Sequence, residues 1–263
     1  MPAPAFLALL AFLSTAGAPA EHVRIPEADG TVLDAALVRP PPGTAPRPAV
    51  VALHGCSGPY AARDGSWARL LAAQGHTVLL PDSFGSRGLG AQCRNAHRTV
   101  TPRGLRRQDA IASAAWLAAQ PGTPAGGVQL LGWSNGGQTV LATAKQAPDL
   151  PPGLFRRFVA FYPGCRAAVA DRGWQPAGKL LILVGQADDW TPAAPCRKLL
   201  PRDPTRVTLV TYPGAWHDFD APGRTFRTLT GLATVPGGIA HAGPDPAARA
   251  DALVRVPAFL ADP

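Results

Sequence analysis

The segment Val128-Gln-Leu-Leu-Gly-Trp-Ser-Asn-Gly-Gly137 carries the most informative pattern in the chain. Val128-Gln-Leu-Leu131 reads as a short apolar strand, and residues 137–145 read as a helix. Between them Gly132-Trp133-Ser134-Asn135-Gly136 has the form G-x-S-x-G, which places a nucleophilic serine on a sharp strand-to-helix turn. The glycines remove side chains that would collide with the neighbouring helix and strand. The helix N-terminus behind Ser134 offers partial positive charge to a developing oxyanion. A glycine-rich turn without chemistry is the alternative, and the strand-before, helix-after placement argues against it.

Outward from this turn, apolar runs alternate with helical stretches. Residues 31–38 suggest an early strand at a sheet edge, stopped by Pro40-Pro41-Pro42. Residues 49–53, 76–80, 158–161, 180–184 and 207–210 are short apolar runs of the kind covered on both faces. Helices are predicted over 67–74, 108–120, 192–200 and 247–260. This alternation predicts an α/β class, with parallel strands joined by right-handed crossovers and helices on both faces. The longest irregular stretch, 221–246, lies late and is followed by one helix. Residues 21–263 therefore read as one domain.

A serine hydroxyl needs a base, and the base needs an orienting acid. The expected chain order is Ser, then Asp or Glu, then His. Only His217 and His241 follow Ser134. His217 sits in Tyr212-Pro-Gly-Ala-Trp-His-Asp-Phe219, just beyond a strand, whereas His241 lies in an irregular Gly/Pro-rich stretch. His217 is the expected base. The acid should follow the preceding strand, where Gly185-Gln-Ala-Asp-Asp-Trp-Thr-Pro192 offers two aspartates. The spacing Gly-x-x-Asp-x-x-x-Pro selects Asp188, leaving Asp189 to cap the next helix or bond its own loop. His54-Gly-Cys-Ser-Gly58 follows another strand, where a second oxyanion donor is expected; the N–H groups of Cys56 and Asn135 are assigned to that role. His54 is expected to order this loop.

These segments, with Pro81-Asp-Ser-Phe-Gly-Ser-Arg-Gly88, resemble the dienelactone hydrolase family, particularly its exported members. The resemblance runs through most of the chain after residue 20. It implies an α/β-hydrolase fold with a mostly parallel central sheet, and hydrolysis of a small-molecule ester or lactone without a cofactor. One departure is visible: the namesake enzymes use a cysteine where this chain has Ser134, which resembles ordinary carboxylesterases instead. A peptidase or thioesterase on the same fold, and a non-catalytic binding protein retaining it, are the alternatives. The intact Ser134, Asp188 and His217 argue against the last.

In this fold neighbouring strands bring Cys56 and Cys93 together, and Cys165 follows one strand while Cys196 begins a helix after the next. Disulfides Cys56–Cys93 and Cys165–Cys196 are therefore expected. No CxxC or HExxH pattern suggests a metal. Arg87 lies where ligands bind in such sheets and is a candidate substrate contact, with pairing to Asp82 as the alternative. Asp109 reads as an ion-paired structural residue. Tyr60, Trp133 and Trp190 are candidate walls of an apolar acyl pocket, or ordinary packing.

The composition sets outer bounds. The chain has 263 residues, 46% of them hydrophobic, enough for a sizeable core and too many for a disordered chain. The net charge of +8 comes from scattered arginines and only Lys145, Lys179 and Lys198, so a basic soluble surface is expected rather than a nucleic-acid partner. Residues 6–13 form a short apolar core ahead of Ala18-Pro19-Ala20, which reads as a signal peptide over residues 1–20 despite an n-region without Lys or Arg. No later apolar run approaches the ~20 residues that cross a bilayer, so no membrane anchor is expected. A secreted or periplasmic location follows, where disulfides persist.

Overall fold

A single mixed sheet organises the chain. The computed structural model describes residues 20–27 and 29–261, so the expected signal segment, save Ala20, lies outside the described residues. The strands are β1 Glu21–Pro26, β2 Val32–Val38, β3 Arg47–Leu53, β4 His76–Pro81, β5 Val128–Trp133, β6 Phe155–Phe161, β7 Lys179–Gly185 and β8 Val207–Tyr212. They lie in the order β1-β2-β4-β3-β5-β6-β7-β8, parallel from β4 to β8, with β1 and β2 joined antiparallel at one side.

The burial of each strand explains its composition. Residues 49–53 of β3 and every residue of β5 are buried, because helices cover both faces of the sheet's centre. In β3, Ala49, Val51 and Leu53 pack on one side while Val50 and Ala52 pack on the other. Helices α1 (Ala61–Ala73) and α6 (Pro246–Ala261) cover the Val50 side through Trp67, Leu71, Ala252 and Val256. Helices α2 (Leu105–Ala118) and α3 (Asn135–Ala144) cover the other through Ala114, Leu117, Val140 and Leu141.

Three features depart from the pattern expected of the sequence. The early strand, β2, is not at the edge; β1 pairs outside it. In β1 only Ile25 is fully buried, so the strand carries almost no apolar signal. Helices α1 and α2 start earlier than expected because Arg63 and Arg106 are buried in them, whereas apolar periodicity treats charges as surface. Finally, the irregular 221–246 stretch contains a small hairpin, β9 (Arg227–Leu229) with β10 (Ala240–Ala242). Short helices α4 (Arg166–Ala170) and α5 (Ala193–Arg197) follow β6 and β7.

Both expected disulfides are present, Cys56–Cys93 and Cys165–Cys196. The first ties the loop after β3 to the loop after β4; the second ties α4 to α5. By constraining loops of 37 and 31 residues, each contributes on the order of 3 kcal/mol by restricting the unfolded chain.

Candidate active site

The carboxyl ends of β3, β5, β7 and β8 converge, and there the expected residues meet. Ser134 ends β5 with φ +54° and ψ −112°, a conformation an L-residue adopts only under strain. The glycines on either side make this turn possible. A Cβ on Gly132 would lie 2.5 Å from the carbonyl carbon of Gly136, and one on Gly136 would lie 2.1 Å from the Leu53 carbonyl oxygen. The pattern thus forces the start of α3 against the end of β3.

The Ser134 Oγ lies 2.9 Å from His217 Nε2, and His217 Nδ1 lies 2.8 Å from Asp188 Oδ2. The consistent pairing has Ser134 donating to Nε2 while Nδ1–H donates to the carboxylate. Asp188 is 3% exposed, and its other oxygen accepts the Trp190 and Thr191 backbone N–H groups at 2.9 and 2.7 Å. That Asx-type turn locks the carboxylate in the loop after β7. Burial alone would lower the His217 pKa, but the Asp188 charge and hydrogen bond raise it above its ordinary value.

Sequence reasoning missed the residues that hold this chain in place. The Thr191 hydroxyl lies 2.9 Å from Asp188 Oδ2, 3.0 Å from His217 Nδ1 and 2.9 Å from the Tyr162 carbonyl oxygen. Tyr162 (φ +35°) and Asp218 (φ +60°) are, with Ser134, the non-glycine residues at positive φ among the described residues. All three border His217 by contact or by sequence. Arg63 donates to Asp64, Tyr162 Oη and Asp218 from within the protein. Beyond the Asp-Phe-Asp run following His217, no motif marks this cluster.

The oxyanion candidates are also placed. Asn135 opens α3, so its N–H is among those with no intrahelical acceptor. Its side-chain oxygen accepts Arg106 Nη1 at 2.6 Å, and Arg106 Nη2 donates to the His54 carbonyl at 2.8 Å, tying the β3 and β5 loops together. Cys56 sits in the neighbouring loop, held by its disulfide and by the Gln92 N–H on its carbonyl. His54 orders this loop as expected, donating Nδ1–H to the Gly55 carbonyl and accepting the Ser83 N–H.

Several candidate positions fall elsewhere. Arg87 gives both terminal nitrogens to Asp109, to Glu27 and to the Ser83 carbonyl; this corrects the expected substrate contact and the alternative pairing with Asp82. Asp82 instead accepts the Phe84 and Gly85 N–H groups. Trp133 is fully buried in the core, which removes it as a pocket wall. Asp189 does not cap the next helix or bond its own loop; it receives the backbone N–H and lies 2.7 Å from Nδ1 of His241, in β10. That anchor holds the hairpin, where Gly243 N–H reaches the His217 carbonyl. Trp190 does border the site, its ring 4.6 Å from that of His217. It shares a cavity of about 230 Å³ with Ser57, Arg94, Arg227 and Leu232. Tyr60 donates to the Pro222 carbonyl and stacks beneath Arg224, a structural role at the rim. Among the described residues no cluster of three or more His, Cys, Asp or Glu side chains is arranged to hold a metal.

The model for the dienelactone hydrolase family matches residues 33–262. A candidate dienelactone hydrolase from Klebsiella pneumoniae superposes with a TM-score of 0.70 at 20% identity, covering 93% of this chain and 98% of its own. Dienelactone hydrolase from Anabaena variabilis gives 0.61 at 25% identity, covering 78% and 90%. Esterase 2 from Thermogutta terrifontis, solved phosphoramylated by tabun, gives 0.64 at 19% identity, covering 92% and 94%. No curated protein matches the sequence. The fold is that of the α/β hydrolases.

Proposed function

The chain belongs to the dienelactone hydrolase family, and on that premise we propose that it cleaves carboxylic esters or lactones through an acyl-enzyme on Ser134. The observation that carries this reading is the unbroken chain from Ser134 Oγ through His217 to Asp188, at 2.9 and 2.8 Å, with the serine on a strained turn. Ser134 Oγ attacks the carbonyl carbon as His217 Nε2 takes its proton. Asp188 keeps the Nδ1–H tautomer and stabilises the imidazolium. The Cys56 and Asn135 amides receive the oxyanion. Collapse expels the alcohol, which takes the proton from His217, and leaves an ester on Oγ. Water then gives a proton to His217 and attacks that ester. The acid departs and Ser134 regains its proton. With a lactone, the released alcohol stays attached to the acyl group and the product is one hydroxy acid.

In this reading residues 21–263 act as one catalytic domain, exported by residues 1–20. The two disulfides support an oxidising compartment. No helix among the described residues is long and apolar enough to cross a membrane. Trp190 and the cavity beside it receive part of the substrate.

A fluorophosphonate probe tests the nucleophile. One adduct on Ser134, absent after unfolding and in Ser134→Ala, is the expected result. Folded protein that takes up no adduct overturns the enzymatic reading and leaves a binding protein. A series of p-nitrophenyl esters, thioesters, lactones and peptide anilides then distinguishes acyl classes. Turnover confined to the anilides or to the thioesters overturns the ester assignment.

A further inference from the structure

Asp220 lies three residues beyond His217, fully buried, in a place the hydrolytic steps do not use. A buried carboxylate is costly unless its oxygens are bonded. Here Oδ2 accepts the Trp67 and Trp133 indole N–H groups at 2.8 and 2.9 Å, and Oδ1 accepts the Tyr162 hydroxyl at 2.6 Å. All three donors are neutral, directional groups on rigid rings, which suits holding segments in register more than neutralising charge.

The donors identify what is held. Trp133 immediately precedes Ser134. Tyr162 follows β6, packs its ring 4.6 Å from His217, and offers its carbonyl to the Thr191 hydroxyl beside Asp188. Asp220 itself belongs to the His217 loop. One carboxylate therefore joins the serine arm, the histidine arm and the end of β6, on whose Tyr162 carbonyl the acid arm rests through Thr191. Two of these arms carry backbone at positive φ, Ser134 and Tyr162, and the third carries it at Asp218. Strained backbone persists only where its surroundings over-determine it. Arg63 reinforces the node from above, donating to Tyr162 Oη at 3.1 Å and lying 4.7 Å over the Trp133 ring.

We propose that Asp220 is a positioning residue that fixes the Trp133, Tyr162 and His217 segments against one another and so sets the Ser134–His217 distance. This rests on the reading of Ser134, His217 and Asp188 as the catalytic chain. Trp67 supplies an internal control. Its indole donates to the same Oδ2 oxygen as Trp133, but it lies in α1, which carries none of the three reacting residues, and a phenylalanine there keeps a ring against Phe161.

The experiment measures kcat and KM for p-nitrophenyl acetate in Trp133→Phe, Tyr162→Phe, Asp220→Asn and Trp67→Phe, with thermal unfolding of each. The first three are expected to lose ~10–100-fold in kcat with KM moved less than ~3-fold, the scale of a misplaced reacting pair. Trp67→Phe is expected to lose stability comparably to Trp133→Phe while keeping kcat within ~2-fold of the parent, since it loses the same kind of bond. Equal losses of kcat in Trp67→Phe and Trp133→Phe, or unchanged kcat in both Trp133→Phe and Tyr162→Phe, overturn the proposal. The three phenylalanine variants decide it even if Asp220→Asn does not fold. A parent protein with neither ester turnover nor fluorophosphonate labelling overturns the catalytic reading and this proposal with it; an active parent with unaffected variants overturns the proposal alone.

Discussion

His54 and His217 are 3% and 1% exposed and sit in loops at the same end of the sheet, after β3 and β8, yet their surroundings drive their charge states apart. Burial disfavours a proton on both. For His54 the Arg106 charge adds to that cost, and the ring is held well below its ordinary pKa. Asp82 Oδ1 lies 3.5 Å from His54 Nε2 but is already occupied by two backbone N–H groups, and Nε2 accepts the Ser83 N–H. A ring that accepts at Nε2 and donates at Nδ1 is neutral. For His217 the Asp188 charge and hydrogen bond outweigh burial and raise the pKa. The pair shows that depth of burial does not make a base. The charge that dominates each ring's surroundings, Arg106 for His54 and Asp188 for His217, sets the direction.

The two histidines should differ most in their effect on turnover. Ser134→Ala or His217→Ala should each lower kcat on p-nitrophenyl acetate by on the order of 10⁵–10⁶-fold, with little further loss in the double variant, as members of one unit behave. A double variant much slower than either single would mean that they act separately. Asp188→Asn should cost about 10⁴-fold, because the amide favours the wrong imidazole tautomer. It should also move the acid limb of the kcat/KM profile downward, since the principal charge raising the His217 pKa is gone. In the parent that limb lies above about 6.5: activity needs neutral His217 and is lost as pH falls through its raised pKa. An acid limb well below that value would show that Asp188 does not act on His217 as described.

His54→Gln should do much less to turnover, within ~10-fold, while lowering stability by ~1–3 kcal/mol through the lost loop bonds. Its acid limb should stay in place. A loss of activity matching His217→Ala would erase the contrast between the two rings. The two rings should also differ in how they couple stability to pH. The depressed His54 pKa contributes stability that is present above about pH 6.5 and lost as pH falls toward the folded value. The raised His217 pKa works the other way: its contribution is fully present below about pH 6.5 and lost as pH rises through the folded value. Denaturant unfolding from pH 5 to 8 should therefore show opposite slopes when each histidine is removed singly, and matching slopes would refute the assignment. The smallest effect on turnover is expected at Arg87. Arg87→Gln should leave kcat/KM within ~2-fold, the behaviour of a residue outside the site, while lowering the thermal midpoint, because Asp109 and Glu27 lose their shared partner. Altered KM with intact stability would restore it as a substrate contact.

Arg87 and Trp133 show what limits a reading from residues alone. Both stand beside catalytic loops in the chain, and nearness along the chain says nothing about which way a side chain faces. Trp133 alternates inward because strand side chains do, and Asp220 waits there to accept its N–H. Asp189 looked like a local cap and instead reaches 52 residues ahead to His241. Arg63, Arg106 and Asp220 leave no local signal, because apolar periodicity assigns charges to the surface and most of the partners that make their burial tolerable lie far along the chain.

What the amino-acid order determined alone is what depends on local chemistry. The apolar runs specified β3 to β8, and the glycines at 132 and 136 specified the serine turn. The loop motifs at 188 and 217 singled out the aspartate and histidine that line up with Ser134, and the cysteine positions relative to the strands predicted both disulfides. Tertiary structure alone decided the outer strand β1, the hairpin over 227–242 and the buried node at Asp220. The physical reason is shared. The node is held by partners 58 to 153 residues away and the hairpin is anchored to Asp189, 52 residues back, while β1, which pairs with the nearby β2, buries only Ile25 against the core. These energies exist only once the sheet has brought the partners together.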